Sequence, residues 1–246
     1  MRNIRVLLYA SLAISVSMIS VSKAAPPPPS VTAPTISGYY NNTYTFGFSG
    51  SFVHSDTDFR GVGSANDTTG LFCADGTVNV WDTALRYAGE FAGFRIAAAG
   101  SLCQGFGTAS ERVGGFDGRT HLGTFMSGGA RLIVPVNLGN GMMVMPHVGA
   151  GVGYGNVKIE AAPFESDRSW RSGFYWEAGV AIPLVNITGN GGARPYGTGT
   201  VQSIDTAATE LYLNYKRWDA GDQTLDGGAR TNTTFDMYTA GVRVKF

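Results

Sequence analysis

The sequence has few of the residues from which catalytic and metal sites are usually built. Only two cysteines occur among 246 residues, and the three histidines, His54, His121 and His147, lie far apart. This spacing is not that of a zinc site, so we predict no metal and no cofactor. Charged residues make up 15% of the chain, 18 basic against 18 acidic. A chain without basic excess has no electrostatic footprint for nucleic acid.

Long hydrophobic runs are absent except at the N-terminus. Arg2 and Arg5 precede an apolar run over residues 6–21, which is shorter than the roughly 20 residues that a membrane-spanning helix needs. Small residues at positions 22 and 24 suit cleavage after Ala24. We therefore predict that residues 1–24 are a secretory signal peptide, with an uncleaved anchor helix as the alternative. Cleavage removes three basic residues and leaves a net charge of −3.

Residues 25–42 form a segment of different composition. It contains four consecutive prolines, Pro26 to Pro29, followed by Pro34. Such a run favours an extended polyproline conformation that buries little surface. We predict a Pro-rich periplasmic lead-in over residues 25–42.

From residue 43 onward the dominant pattern is alternation of apolar and small or polar residues, which is typical of β-strands. The composition agrees, with 35 Gly, 14 Phe and 11 Tyr and a mean hydropathy of +0.01. The predicted strands cover residues 43–54, 78–88, 93–102, 121–134, 144–154, 174–184, 209–218 and 235–246. A weak further candidate over residues 196–204 leaves ten strands as the alternative.

The chemistry of the two strand faces favours a barrel in lipid over a sandwich in water. In the first strand Tyr44, Phe46 and Phe48 alternate with Thr45 and Gly47. A face exposed to water would carry many Lys and Glu, whereas Gly, Ala and Ser suit the crowded interior of a narrow barrel. The fold class predicted for residues 43–246 is therefore all-β, a transmembrane antiparallel up-and-down β-barrel of eight strands. Long connections after the first and third strands are predicted to be outer loops.

With its signal segment, its alternating strands, the stretch Glu210 to Tyr215 and the ending Ala240 to Phe246, the chain resembles small OmpA-like and opacity-type barrels of the porin family. The resemblance implies the outer membrane of a Gram-negative bacterium. It also implies that Phe246 belongs to the signal recognised by the outer-membrane assembly machinery. The expected partners are therefore this machinery, outer-membrane lipid and a possible surface ligand of the outer loops.

The two cysteines are predicted to form a disulfide bond. In the predicted topology Cys73 lies in the first outer loop and Cys103 at the outer end of the third strand. Both residues are then on the same, oxidising side of the membrane. Two free thiols are the alternative.

Several charged residues are predicted to project into the barrel. Because buried charges are costly without partners, we expect them to pair into a network that plugs the lumen; an ion gate is the alternative. The predicted network consists of Asp82, Arg86, Arg95, Arg131, His147, Glu177 and Lys245. The glycines at 149, 151, 153 and 155 are interpreted as clearance on the same inner wall.

No enzymatic site is predicted. His54, Ser55 and Asp56 have the residue types of a hydrolase triad, but neighbours on a strand point to opposite faces. The predicted function is a structural or surface-interaction role in the cell envelope. A narrow, weakly selective porin for ions or small solutes is the alternative, and an outer-membrane lipid hydrolase is a distant third.

Overall fold

The computed structural model describes residues 35–39, 44–60, 63–87, 90–111, 118–138, 143–161, 164–183, 209–225, 228 and 230–245. Its strands are β1 Thr35–Tyr39, β2 Tyr44–Phe59, β3 Gly63–Tyr87, β4 Glu90–Glu111, β5 Gly118–Ile133, β6 Val136–Asn137, β7 Met143–Ala161, β8 Phe164–Pro183, β9 Thr209–Thr224 and β10 Arg230–Lys245. No helix within these ranges is long and apolar enough to cross a membrane.

Eight of the strands close into a barrel. The order around the ring is β3, β2, β10, β9, β8, β7, β5 and β4, and β4 pairs with β3 to complete it. All pairs are antiparallel and successive long strands are neighbours. The predicted eight-stranded up-and-down barrel is confirmed, because the ring closes without further strands. The candidate strand at residues 196–204 lies outside the described residues.

The two short strands extend the wall at the end where β2 begins and β10 ends, which we call the periplasmic end. β1 pairs with the last residues of β3, from Thr35 opposite Arg86 to Tyr39 opposite Asp82. β6 pairs with the start of β7. Part of the predicted lead-in at residues 25–42 is therefore a strand of the sheet, while residues 1–34 lie outside the described residues.

Strands in this barrel are strongly inclined. A row of paired residues that starts at His54 on β2 and crosses all eight strands returns to β2 at Tyr44. This offset of ten residues around a ring of eight strands corresponds to a tilt of about 40°. Each residue along a strand therefore rises about 2.5 Å along the barrel axis.

The strands continue well beyond the length that a membrane requires. They contain 16 to 25 residues, whereas about 9 to 11 suffice to cross the hydrocarbon. The outer loop predicted between residues 55 and 77 is wrong, because β2 and β3 pair continuously from Tyr44 opposite Val78 to Phe59 opposite Gly63. Its Ser, Thr, Asn and Asp residues suggested a loop, but they lie on a strand whose outward face meets water.

The outward face carries an apolar belt. Its exposed large side chains include Phe48, Leu102, Val148, Phe174 and Leu213. Beyond the belt, towards the end opposite the periplasmic end, the outward residues become polar. An exposed hydrophobic surface around a closed barrel requires hydrocarbon, so the protein crosses the outer membrane and its polar extension projects outside.

Several β-bulges change which residues face inward. Between Leu122 and Phe125 the register of β5 with β7 shifts, and Leu122 is completely buried. Regular alternation over the predicted strand 121–134 would place Leu122 on the outward face with Met126 and Leu132, and this prediction is wrong, since the bulge inverts the alternation above it. A second bulge in β9 places Gly221 at φ 73°, a backbone conformation that glycine adopts without steric cost.

Candidate functional site

A network of charged side chains crosses the middle of the lumen. Glu177 on β8 accepts a hydrogen bond from Arg131 Nε at 2.8 Å and a second contact from the same guanidinium at 2.7 Å. Asn214 Nδ2 donates to the other carboxylate oxygen at 3.0 Å. Glu177 is only 1% exposed. Several donors thus compensate the cost of burying its charge.

Lys216 completes this network from β9. Its Nζ lies 3.8 Å from Glu177 Oε2 and donates to Ser127 Oγ at 2.8 Å. The ammonium also lies 4.5 Å from the centre of the Tyr175 ring, a cation–π contact in a dry environment. We call Arg131, Glu177, Asn214 and Lys216 the central network.

Further polar side chains fill the lumen towards the periplasmic end. Asp75 accepts hydrogen bonds from Ser49 at 2.6 Å and from the Tyr212 hydroxyl. Arg243 lies 4.3 Å from the centre of the Tyr212 ring and 4.0 Å from Glu210. The lumen is therefore polar on this side.

On the other side of the central network the large buried side chains are mainly apolar, with Thr57, Asp67 and Thr120 buried among them; we call the apolar set the outer core. It comprises Val53, Phe59, Ala65, Leu71, Cys73, Cys103, Leu122, Phe125, Val157, Ile159, Tyr175, Trp218, Ala220, Leu225, Phe235 and Met237. Trp218 is completely buried. Its ring lies 5.0 Å from that of Phe125 and 5.1 Å from that of Phe235.

Glycines on the inner face of β7 provide the room for these large side chains. A Cβ at Gly153 would lie 2.7 Å from Phe125, and one at Gly155 would lie 2.8 Å from Trp218. At Gly149 and Gly151 the nearest side chains would be Glu177 and Tyr175, each at 2.8 Å. The interpretation of the four glycines as clearance is confirmed.

Two small cavities lie among the described inward side chains. One cavity of about 20 Å³ is lined by residues of the central network, including Arg131 and Lys216. A second of about 20 Å³ lies among Arg95, His147, Glu210 and Arg243. Each has room for about one water molecule.

Cys73 and Cys103 are joined across β3 and β4. The two residues are direct partners in the sheet, and their sulfur atoms are 2.08 Å apart. Both side chains are buried on the inner face. Cys73 thus lies within a strand and not in an outer loop, because β3 begins at Gly63.

Some residues of the predicted network lie close together, and the side chains of others lie outside the part of the chain that the structure describes. Arg131 and Glu177 are in contact, and His147 lies 3.2 Å from Asn214. Arg95 is buried near His147, lining the second cavity. The backbone of Asp82 is opposite that of Arg95. The side chains of Asp82, Arg86 and Lys245, and all of Phe246, lie outside the described residues.

Sequence reasoning missed Lys216, Asp75, Glu210 and Arg243 as members of this filling. Lys216 and Glu210 have the same parity on β9 as the buried Tyr212 and Trp218, so alternation was a usable signal. Alternation gives no signal for Asp75, because its segment is predicted to be an outer loop.

The outward face of the outer extension is polar. His54 and Asp56 point outward on β2, and Ser55 between them points inward, so the three cannot meet. At the outer turns Arg60 Nη2 donates to both carboxylate oxygens of Asp222, at 2.8 and 3.0 Å. Hydrogen bonding from Asn232, together with Arg60, holds the pKa of Asp222 below its usual value.

No protein-family model matches the chain, and no curated protein sequence matches it. Among solved structures, Neisserial surface protein A is 16% identical over 82% of this chain and 97% of that chain, with a TM-score of 0.39. Ail, the attachment invasion locus protein of Yersinia pestis, is 13% identical over 82% of this chain and 98% of that chain, with a TM-score of 0.36. The outer membrane protein OprG from Pseudomonas aeruginosa is 12% identical over 85% of this chain and 97% of that chain, with a TM-score of 0.30. Values this low assign no function to the chain.

Proposed function

We propose that this protein is a closed outer-membrane barrel with a structural and surface-interaction role in the cell envelope, and that it does not work as a pore. Membership of the OmpA-like and opacity-type group is part of the same proposal. The observation that carries it is the outer core, which occupies the lumen between the membrane and the outside.

Two layers oppose the passage of ions. An ion that enters from outside meets the rings of Phe125, Trp218 and Phe235, where it would lose its hydration shell without replacement ligands. Below them it meets the central network, in which Glu177 is held by Arg131 and Lys216. The two cavities that Arg243 lines each have room for about one water molecule. We therefore expect that a hydrated ion does not pass.

The long strands support the surface role. Pairing beyond the membrane builds a stiff wall that carries polar side chains such as His54, Asp56 and Asp58 outward. The pair between Arg60 and Asp222 ties the β2–β3 turn to the end of β9. A rigid wall presents side chains to a partner with little loss of conformational entropy on binding.

Conductance in planar bilayers tests the proposal. We expect the folded wild-type protein to give no stable current steps above the bare-bilayer level. Folding is checked on the same sample by heat-modifiable migration on a denaturing gel. This control ensures that an absence of current does not result from unfolded protein that failed to insert. Discrete, reproducible steps from heat-modifiable wild-type protein would refute closure and favour the narrow porin.

A further inference from the structure

Four basic residues share one part of the outward wall. His121 on β5 lies directly opposite Lys158 on β7, and Lys158 lies directly opposite Arg168 on β8. Arg119 is two residues further out than His121 on the same face of β5. The alternating neighbours Thr120, Val157 and Ile159 are buried inside, so the basic side chains point outward. We call Arg119, His121, Lys158 and Arg168 the basic patch.

One carboxylate lies within the patch and does not neutralise it. Glu160 is the sheet partner of Arg119 and forms a salt bridge with Lys158. The hydrogen bond from Lys158 lowers the pKa of Glu160, which keeps it ionised. Three permanent cations thus face one anion. Partial burial, and then the charges of Arg168 and Lys158, lower the pKa of His121, as expected where the potential is positive.

The patch lies just outside the apolar belt. Tyr154 and Trp170 stack on the outward face with ring centres 4.9 Å apart, a pair typical of the membrane boundary. Lys158 is four residues beyond Tyr154, and Arg168 is two residues beyond Trp170. With the tilt of the strands these steps amount to about 10 and 5 Å above the aromatic pair. Lipid headgroups lie at this height.

Among the described residues, an excess of outward positive charge occurs on this side of the barrel, whereas on the far wall Arg217 and Arg60 are paired with carboxylates. On the far wall, built by β9, β10 and β2, the outward residues near the same height include Asp56, Asp58, Asp222 and Asp236. Asp236 is paired with Arg217 at 3.4 Å, and Asp222 with Arg60. We therefore expect anions to be attracted to the outward surface of β5, β7 and β8 and not to the whole wall.

We propose that the basic patch binds the phosphate groups of a phosphorylated glycolipid in the outer leaflet. The guanidinium groups of Arg119 and Arg168 match phosphate oxygens in geometry, and Lys158 contributes a point charge. Met126, Val152 and Phe174 lie on the belt directly below and pack against the acyl chains. The proposal depends on the barrel and its position in the membrane and is independent of whether the lumen conducts.

Lipid retention tests this site. Barrels in phosphatidylcholine nanodiscs that contain diphosphorylated lipid A are compared as wild type, as the double variant K158Q/R168Q, and as the control R217Q/R230Q, which removes the same charge from the far wall. We expect the patch variant to bind about 10- to 30-fold more weakly and the control to bind like the wild type. Wild-type binding to dephosphorylated lipid A should fall as much as that of the patch variant.

A second measurement reports on the site itself. Because a bound phosphate adds negative charge next to His121, its pKa should rise when diphosphorylated lipid A is added; inorganic phosphate at the same concentration should not raise it. Equal lipid retention by all three proteins, equal loss in the control, or an unchanged His121 titration would overturn the proposal. The proposal would also be overturned if the patch variant retained its lipid and lost only the association of one barrel with another. Heat-modifiable migration verifies that each variant is folded.

Discussion

Neutralising Glu177 should be among the most damaging single changes to this barrel. In Glu177→Gln the amide still contacts Arg131 and Asn214, but it no longer balances the two cations held at 2.7 and 3.8 Å. The site is almost completely buried, so Arg131 and Lys216 cannot turn to water. Removing one partner of a buried ion pair costs about 3 to 5 kcal/mol, and we expect a loss of unfolding free energy in this range.

The same geometry predicts an asymmetry between the partners. Arg131→Gln leaves Glu177 with Lys216, which is one anion with one cation, and should cost less, about 1 to 3 kcal/mol. The measurement is urea unfolding of barrels in phospholipid vesicles, followed by tryptophan fluorescence. Glu160→Gln, an exposed salt-bridge partner of Lys158, is the control and should change stability by less than about 1 kcal/mol. A larger loss in R131Q than in E177Q would refute the electrostatic reasoning.

Three further changes test the packing of the lumen in the same unfolding assay. Trp218→Ala removes a completely buried ring between Phe125 and Phe235 and should cost about 3 to 5 kcal/mol; a loss below 1 kcal/mol would contradict the outer core. Gly153→Val would place a Cβ 2.7 Å from Phe125 and should cost about 1 to 3 kcal/mol, whereas Gly128→Val, with open space around its Cβ, should be nearly neutral. Replacing Cys73 and Cys103 by Ser should cost up to about 3 to 4 kcal/mol; a thiol titre of unfolded wild-type protein that does not rise on reduction would exclude the bond.

The sequence made the membrane-facing part of the fold predictable, because there the two faces differ most. Phe46 and Phe48 alternate with Gly47 and Ser49 on β2, and only an apolar surround outside and a crowded interior inside explain that contrast. Arg131 and Glu177 were found by the same parity. Their contact could not be derived, because it depends on the register of β5 with β7 and of β7 with β8.

Prediction failed where both faces carry residues that are common in loops. Between Asp56 and Thr69 neither face is strongly apolar, so composition suggested a loop while the backbone continues as a strand. Leu122 was misplaced for a different reason. A bulge between Leu122 and Phe125 cannot be recognised from the residue types. It nevertheless exchanges the inward and outward positions in the part of β5 that ends at Leu122.

Along the longest strands the two faces exchange chemistry, and the exchange marks the surface of the membrane. On β2 the outward residue changes from Phe52 to His54, and the inward residue changes from Ser51 to Val53. On β9 the outward change is from Tyr215 to Arg217 and the inward change is from Lys216 to Trp218. Below the exchange, lipid takes the apolar side chains and the interior can remain polar. Above it water surrounds the wall, and the barrel folds as a soluble one must, with its apolar side chains inside. The buried apolar side chains of the outer core are therefore a consequence of continuing eight strands into water.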